Sequence, residues 1–549
     1  MGIPSYFSHI VKNHANIIRK MNYNKTKRNN NLYMDCNSII YDAVHNIDFN
    51  NLTETDVKTI INFVLNKIDE YILLISPDKN IFIAFDGVAP VAKLDQQRER
   101  RYKSLYQAQI SKAIFKDAKP DPWNTTAITP GTNFMKELNT RCKSYFNNPA
   151  KYGVEKLLLS TTEKYGEGEH KIFEYIRDFP QEHTCDFKTI IYGLDADLIM
   201  LSINHLPVAP DTHLFRETPH FIQNINKDLE PNANYLLDIP ELARIITDDM
   251  NNLSSSSLSP SPSSRVYDYI FLCFFLGNDF LPHFPSVNIR TGGVDKMINA
   301  YKATIGDTKE TLTDGKTIYW ANVRKLVDFL AKLEEEHFKN EIKLRDKRER
   351  FFLQTDTPEN IYKKFDVIPT YERETERYIN PYRKGWQNRY YTALFTKSFD
   401  KNNIRMFDES EIKKICINYL EGLEWTAKYY TNGCPDWRWS YKYAYPPLFS
   451  DLIRFIPLYK TEFITPNLGE NPVNELVQLC YVLPRQSLPM LPPNLYDIVL
   501  KNYEQRWYPT ECEFTWAFCK YFWEAHVQLP EIELDELEKV VEEYLRIRT

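Results

Sequence analysis

Three short apolar runs constrain the fold of this chain more than any other feature: "NLYMDCNSIIYDAV" from Asn31, "NIFIAFDGVAP" from Asn80 and "KTIIYGLDADLIML" from Lys188. In each, three to five consecutive apolar residues carry no polar alternation, and helical stretches separate one run from the next. A strand that is apolar on both sides is covered on both sides, which is the condition of a parallel sheet packed between helices. The expected fold class is therefore α/β, a mostly parallel twisted sheet flanked by helices. The first region is expected to span residues 1–345. The Ser/Pro-rich stretch "NNLSSSSLSPSPSSR" at 251–265 reads as a flexible surface insertion within it. A highly charged helix over 334–352 closes that region. Residues 346–549, richer in Trp, Tyr and Pro, read as a largely helical second region.

Composition narrows the setting. With 43% hydrophobic and 14% aromatic residues, the 549-residue chain is not disordered. Nine cysteines without a C-x-x-C pair argue for reduced thiols, not a disulfide framework or a zinc site. The longest apolar run, "IFLCFFLG" from Ile270, is far short of the roughly 20 residues a membrane span needs. The N-terminus lacks a signal-peptide layout, and "KLRDKRER" is too mixed in charge for a nuclear signal. An intracellular setting is expected, cytoplasmic rather than nuclear, with no membrane association. A formal charge of −6 gives no global attraction to nucleic acid, so any polyanion must be bound locally.

Acidic residues recur where the strands are expected to end: Asp35, Asp86, Asp195 and Asp197, joined by Asp279 in "LGNDFLPHFP" and by Glu167 and Glu169 in "YGEGEHKI". Ligands of parallel α/β sheets gather outside the carboxyl ends of the strands, so these acids are placed to converge. The chain has only 16 glycines, yet Gly87, Gly166, Gly168, Gly193 and Gly277 lie within two residues of these acids. Two carboxylates about 4 Å apart repel by about 4 kcal/mol at an effective dielectric near 20. A converging set must protonate or recruit cations, and hard oxygen donors without clustered Cys or His favour Mg²⁺ or Mn²⁺. A pair of such ions suits phosphodiester hydrolysis, with Lys171 placed to balance charge or touch the scissile phosphate. Taken singly, E-x-E or D-x-D is more often a solvated pair or a helix cap. Five segments with the same placement weigh against that reading.

Beyond Asp86, "VAPVAKLDQQRERRYKSLYQ" sets Lys93, Gln97, Arg100 and Arg101 along one face of a helix that starts near Pro90. Guanidinium forks bind phosphate oxygens bidentately, so the stripe makes a phosphate pocket beside the acids.

With these residues assembled, the chain resembles the Xrn family of 5′→3′ exoribonucleases. "MGIPSYF", "MDCNSIIY", "FDGVAPVAK…QQRERR", "ITPGTNFM", "GEGEHKI", "YGLDADLIML" and "FLGNDFLPHFP" follow in that family's order. "YLEGLEWTAKYYTNGCPDWRWSYKYAYPPLFSDL" and "YVLPRQSLPMLPP" continue it. The resemblance implies a FEN/PIN-like nuclease core enclosed by the second region. It also implies Mg²⁺-dependent release of nucleoside 5′-monophosphates from RNA bearing a 5′-monophosphate, in RNA decay or turnover. Its metal-site acids fall on Asp35, Asp86, Glu167, Glu169, Asp195, Asp197 and Asp279, and its 5′-phosphate pocket on Lys93, Gln97, Arg100 and Arg101. Two positions depart from the family pattern: its base-stacking histidine is Tyr41 here, and Tyr165 stands where a proline is usual. The opposing stacking residue falls on Trp523, with Trp516 as its rival. The extra C-terminal domains of the large cytoplasmic members are expected to be missing. A structure-specific DNA 5′ nuclease and a catalytically silent RNA-end-binding scaffold are the competing readings.

Overall fold

The computed structural model describes residues 3, 5–21, 29–47, 56–115, 123–251, 262–396, 405–465 and 471–548. Seven strands form one sheet: β1 (Ile18–Lys20), β2 (Asn29–Asp35), β3 (Pro77–Ala84), β4 (Lys156–Ser160), β5 (Thr189–Tyr192), β6 (Thr212–Glu217) and β7 (Asn234–Asp238), in the order β1-β7-β6-β5-β2-β3-β4. The five strands from β6 to β4 are parallel, whereas β7 and β1 add an antiparallel edge. The apolar runs that suggested the sheet supply its centre, and every residue of β5 is buried.

The chain winds outward from β2 to β3 and β4, returns, and continues on the other side through β5 and β6. This reversal opens a crevice at the carboxyl ends of β2 and β5, where open α/β sheets place their ligands. The helix α1 (Asn37–Asn46) leaves β2, α2 (Val91–Ile114) follows β3, α3 (Gly168–Asp178) follows β4, and α4 (Asp197–Asn204) follows β5. Asp197 is itself the first residue of α4.

Each sheet face has its own core. One face packs on α1 and the helices Asp56–Ile75 and Asn133–Tyr145. The other packs on α3, α4 and the helices Ile239–Met250 and Pro262–Phe274, and this core runs on into the second region through Tyr419, Trp425 and Tyr430. Residues 252–261 of the Ser/Pro-rich stretch lie outside the described residues. Its last residues do not form a surface insertion. They open the Pro262–Phe274 helix, where Arg265 is fully buried and donates to the carbonyls of Gly306 and Thr308 at 3.0 Å.

The charged helix is α5 (Trp320–Glu349), which runs unbroken through residue 345. Beyond it the chain is mostly helical, with α6 (Glu409–Asn432) as its longest helix among the described residues, and it adds a small antiparallel pair, β8 (Glu513–Thr515) and β9 (His526–Gln528). A third core joins Val88, Ala89, Val91 and Leu94 to residues between Val473 and Tyr544. The start of α2 is thus packed by the far end of the sequence. No helix of the described residues is long and apolar enough to cross a membrane, and the nine cysteines are all free.

Candidate active site

Four consecutive strand ends deliver six of the acids. Asp35 closes β2, Asp86 stands two residues beyond β3, and the loop after β4 brings Glu167 and Glu169 to the first turn of α3. Asp195 and Asp197 lie between β5 and the first residue of α4. Asp279 comes from elsewhere: it follows the Pro262–Phe274 helix, so the expectation that these acids all end strands fails for this one. Carboxylates at the first turn of a helix are stabilised by its exposed N–H groups and dipole, which helps α3 and α4 hold Glu169 and Asp197.

Glycines let the segments meet. The amide of Gly87 donates to the Gly166 carbonyl and that of Gly166 to the Val88 carbonyl, both at 2.8 Å, so the loops after β3 and β4 are stitched together. A Cβ on Gly87 would lie 1.9 Å from the Lys164 carbonyl oxygen, and Gly166 has a φ of +92°, where side chains are strained. Gly168 is the tightest point against the acids. Its amide donates to Asp86 Oδ1 at 2.6 Å, and an added Cβ would lie 2.6 Å from Asp35 Oδ1. The other Asp86 oxygen accepts from the side-chain amide of Asn37.

The cluster is buried and electrostatically crowded. Burial, then the charges of Asp86 and Asp195, pushes the Asp35 carboxyl well above its usual range. Burial and the neighbouring Asp195 and Asp197 do the same to Glu169. Asp197 rises to about 7 through burial, Asp279 and Asp195. Against this stands, among the described residues, the ammonium of Lys93, which pairs with Glu167 and, at 2.7 Å, with Asp279 Oδ2. It holds Asp279 below the usual carboxylate range although burial opposes this. Asp35 Oδ1 and Asp197 Oδ1 are buried without a hydrogen-bond partner. Buried carboxylate oxygens left unpaired are costly, and a set of hard oxygen donors suits a divalent cation. The residues present therefore fit such an ion.

The basic stripe divides. Lys93 points among the acids. Gln97, Arg100 and Arg101 line a cavity of about 570 Å³ together with Asp35, Asp86 and Asp195. Arg101 donates to Thr129 Oγ1 at 2.5 Å and keeps a buried guanidinium nitrogen with no hydrogen-bond partner; burial and the adjacent Arg100 lower it to about 10. Tyr41, half-buried on α1, lines the same cavity. Other members of α2 turn the opposite way and fasten it to the second region. Arg98 donates to the carbonyls of Pro530 and Trp507 at 2.7 Å, and Lys103 to that of Ala525 at 2.8 Å.

The remaining expected residues lie outside this cavity. Lys171 is buried with its ammonium on the carbonyls of Phe85 (2.7 Å) and Thr161 (3.0 Å), where it braces the ends of β3 and β4; burial lowers it to about 8. Trp523 is stacked beside Tyr521, with ring centroids 6.0 Å apart, and lies 5.7 Å from the Arg290 guanidinium. Trp516 spends its N–H on the Glu372 carbonyl at 2.7 Å.

Three neighbours of the acids were not singled out from the sequence. His170 offers a ring nitrogen within 4.8 Å of carboxylate oxygens of Glu167 and Glu169. Tyr429 donates to Glu167 Oε2 at 2.8 Å. Arg216, on β6, lines the cavity and donates to the Leu194 carbonyl at 3.0 Å. His170 directly follows an E-x-E and was open to notice; Tyr429 and Arg216 carried no such signal.

A parallel sheet whose carboxyl edge gathers buried acids beside a cation-lined cavity defines a PIN-like nuclease. Family comparison extends this. The family model described as "XRN 5'-3' exonuclease N-terminus" matches residues 1–218, and that described as "Xrn1 helical domain" matches 263–376 and 370–546. The chain belongs to the Xrn family of 5′→3′ exoribonucleases. Over 99% of its length it is 27% identical to a Drosophila melanogaster 5'-3' exoribonuclease 2 homolog, 71% of which is covered. It is 25% identical over 91% of its length to Schizosaccharomyces pombe 5'-3' exoribonuclease 1 and 26% over 92% to Arabidopsis thaliana 5'-3' exoribonuclease 2. The chain spans 45% of the former and 61% of the latter.

Proposed function

We propose that this protein is a divalent-cation-dependent 5′→3′ exoribonuclease that removes nucleoside 5′-monophosphates from RNA bearing a 5′-monophosphate, acting in RNA decay or turnover inside the cell, in the cytoplasm rather than the nucleus. The observation that carries this reading is the shared cavity. Asp35, Asp86 and Asp195 face the same space as Gln97, Arg100 and Arg101, so a terminal phosphate held by the basic side chains lies beside the acids.

Asp35, Asp86, Glu167, Glu169, Asp195, Asp197 and Asp279 would hold two Mg²⁺ ions, with Mn²⁺ as a substitute. When bound, such ions supply the positive charge that offsets negative charge building up on a phosphodiester during displacement. Arg100 and Arg101 grip the terminal phosphate, and Gln97 donates a neutral hydrogen bond. Tyr41 offers a ring face on which the first base stacks. Lys93 keeps the acid cluster from carrying its full repulsion before cations arrive. Lys171 acts by fixing the strand ends that carry Asp86 and the loop to Glu167. Trp523 is assigned the opposing stack, with its place beside Arg290 as the support. The division at 345/346 is kept as one of function: the first region supplies the acids, and the second closes around α2.

Incubating the protein with Mg²⁺ and two 3′-end-labelled RNAs that differ only in their 5′ phosphorylation tests this. Digestion of the monophosphate RNA from its 5′ end, with the triphosphate RNA spared, is expected. Equal digestion of both removes the pocket from the reading, and digestion of neither removes the activity.

A further inference from the structure

The second region touches the acid cluster through a phenol, and we infer that Tyr429 is a positioning residue that fixes the Glu167 carboxylate for cation binding. This rests on the divalent-cation reading above. Tyr429 lies on α6, 262 positions from Glu167, and both side chains are buried. Its hydroxyl donates to Glu167 Oε2 at 2.8 Å, while Oε1 pairs with Lys93. Each carboxylate oxygen thus has a separate tether, so the group is held against rotation while lone pairs remain for a cation.

The phenol itself has little freedom. The Tyr429 ring is sandwiched between His170, at 3.7 Å between centroids and 28° between planes, and Trp425, at 4.8 Å and 27°. The Phe280 ring, at 88° to it and 5.3 Å between centroids, closes a further side. Trp425 is pinned in turn by its N–H on the Asp436 carbonyl at 2.8 Å. Rings so confined leave the hydroxyl one direction, toward Glu167. One turn of α6 thereby transmits the seating of the second region to a carboxylate of the first. Hydrogen-bond partners that orient metal ligands typically matter by about 10–100-fold in metal affinity.

Tyr429→Phe removes one oxygen and keeps the stack. Mn²⁺ is the probe, titrated by electron paramagnetic resonance against the full chain without RNA, so that affinity is read apart from turnover. Affinity is expected to fall about tenfold or more, and the Mg²⁺ concentration for half-maximal digestion to rise in step. Binding of a 5′-monophosphorylated RNA in EDTA should stay at the wild-type value, as should the melting temperature within about 3 °C. Tyr419→Phe is the control, because that phenol, on the same helix, donates to the Pro282 carbonyl at 3.1 Å; its Mn²⁺ affinity should be unchanged. Wild-type Mn²⁺ affinity in Tyr429→Phe overturns the inference and leaves the cation reading standing. So does an equal loss in both variants, which marks a packing effect. A wild-type chain that binds no Mn²⁺ overturns both.

Discussion

Replacing Gly168 by alanine adds one methyl group where the backbone passes closest to two acids. The new Cβ would lie 2.6 Å from Asp35 Oδ1 and 3.4 Å from Asp86 Oδ1. Carbon–oxygen contacts settle at about 3.3 Å, so the Asp35 oxygen must retreat by about 0.7 Å or the start of α3 must tilt. Neither yields easily: β2 is paired on both sides, and the Gly168 amide is already bonded to Asp86 at 2.6 Å. A misplacement near 1 Å at a reacting centre costs about 10²-fold, and turnover of Gly168→Ala is expected to fall by about that factor. Stability moves less. Overpacking costs about 1–3 kcal/mol, while alanine in place of glycine in a helix returns about 0.5–1 kcal/mol, leaving a net loss of about 0–2.5 kcal/mol. Single-turnover digestion of monophosphorylated RNA in Mg²⁺ measures the first effect and urea unfolding the second. Wild-type turnover in a folded Gly168→Ala protein would refute the steric account, and so would a loss no larger than the unfolded fraction explains.

Neutralising Arg100 and Arg101 together should raise KM for monophosphorylated RNA at least tenfold and erase the preference over triphosphorylated ends; competition between the two labelled RNAs reads this directly. Metal-free stability should depend on pH with a definite sign. Asp35 and Glu169 are raised, and Asp197 is raised to about 7, chiefly by burial. The contribution of Asp197 is therefore full below the unfolded value near 4 and is lost as pH rises through about 7, and those of Asp35 and Glu169 are likewise lost as pH rises. EDTA should lower the melting temperature more at pH 8 than at pH 5.5, and equal effects at the two pH values would contradict the buried-acid account. Tyr41→Ala should shorten the run length on long RNA in the presence of a competitor trap, with hydrolysis of a dinucleotide little changed; an unaltered product ladder removes the stacking role.

The parts of the site that were legible in the sequence are those where chemistry and backbone geometry coincide. Asp35 and Asp86 stand out because a charge at the end of an apolar strand has few reasons to be there, and Gly168 because a glycine-poor chain places it between two glutamates. Asp279 was found through its own motif, but the sequence did not fix its element, since "IFLCFFLG" is equally apolar as a buried strand or as the end of the helix Pro262–Phe274. Lys93 was grouped with Arg100 and Arg101 because helical spacing gives direction around an axis but not depth. Its position about two turns nearer the start of α2 carries it into the acids instead of the cavity lined by Gln97, Arg100 and Arg101. Tyr429 was not legible: "WTAKYYTN" reads as a core stripe, and a stripe does not say which hydroxyl finds a carboxylate from a distant segment. Likewise, nothing local in "NNLSSSSLSPSPSSR" shows that its final arginine will be buried among carbonyls.

Because the beginning of α2 is packed by residues after Val473, and Arg98 and Lys103 are tied to carbonyls between Trp507 and Pro530, synthesis of this molecule has a built-in order. A nascent chain that has emerged only as far as α5 already carries all seven acids and Gln97, Arg100 and Arg101. It still lacks the wall that seats the helix between them. Cutting power should thus arrive only once the residues from Val473 to Tyr544 have left the ribosome, and products terminated before them should be inert rather than loosely destructive.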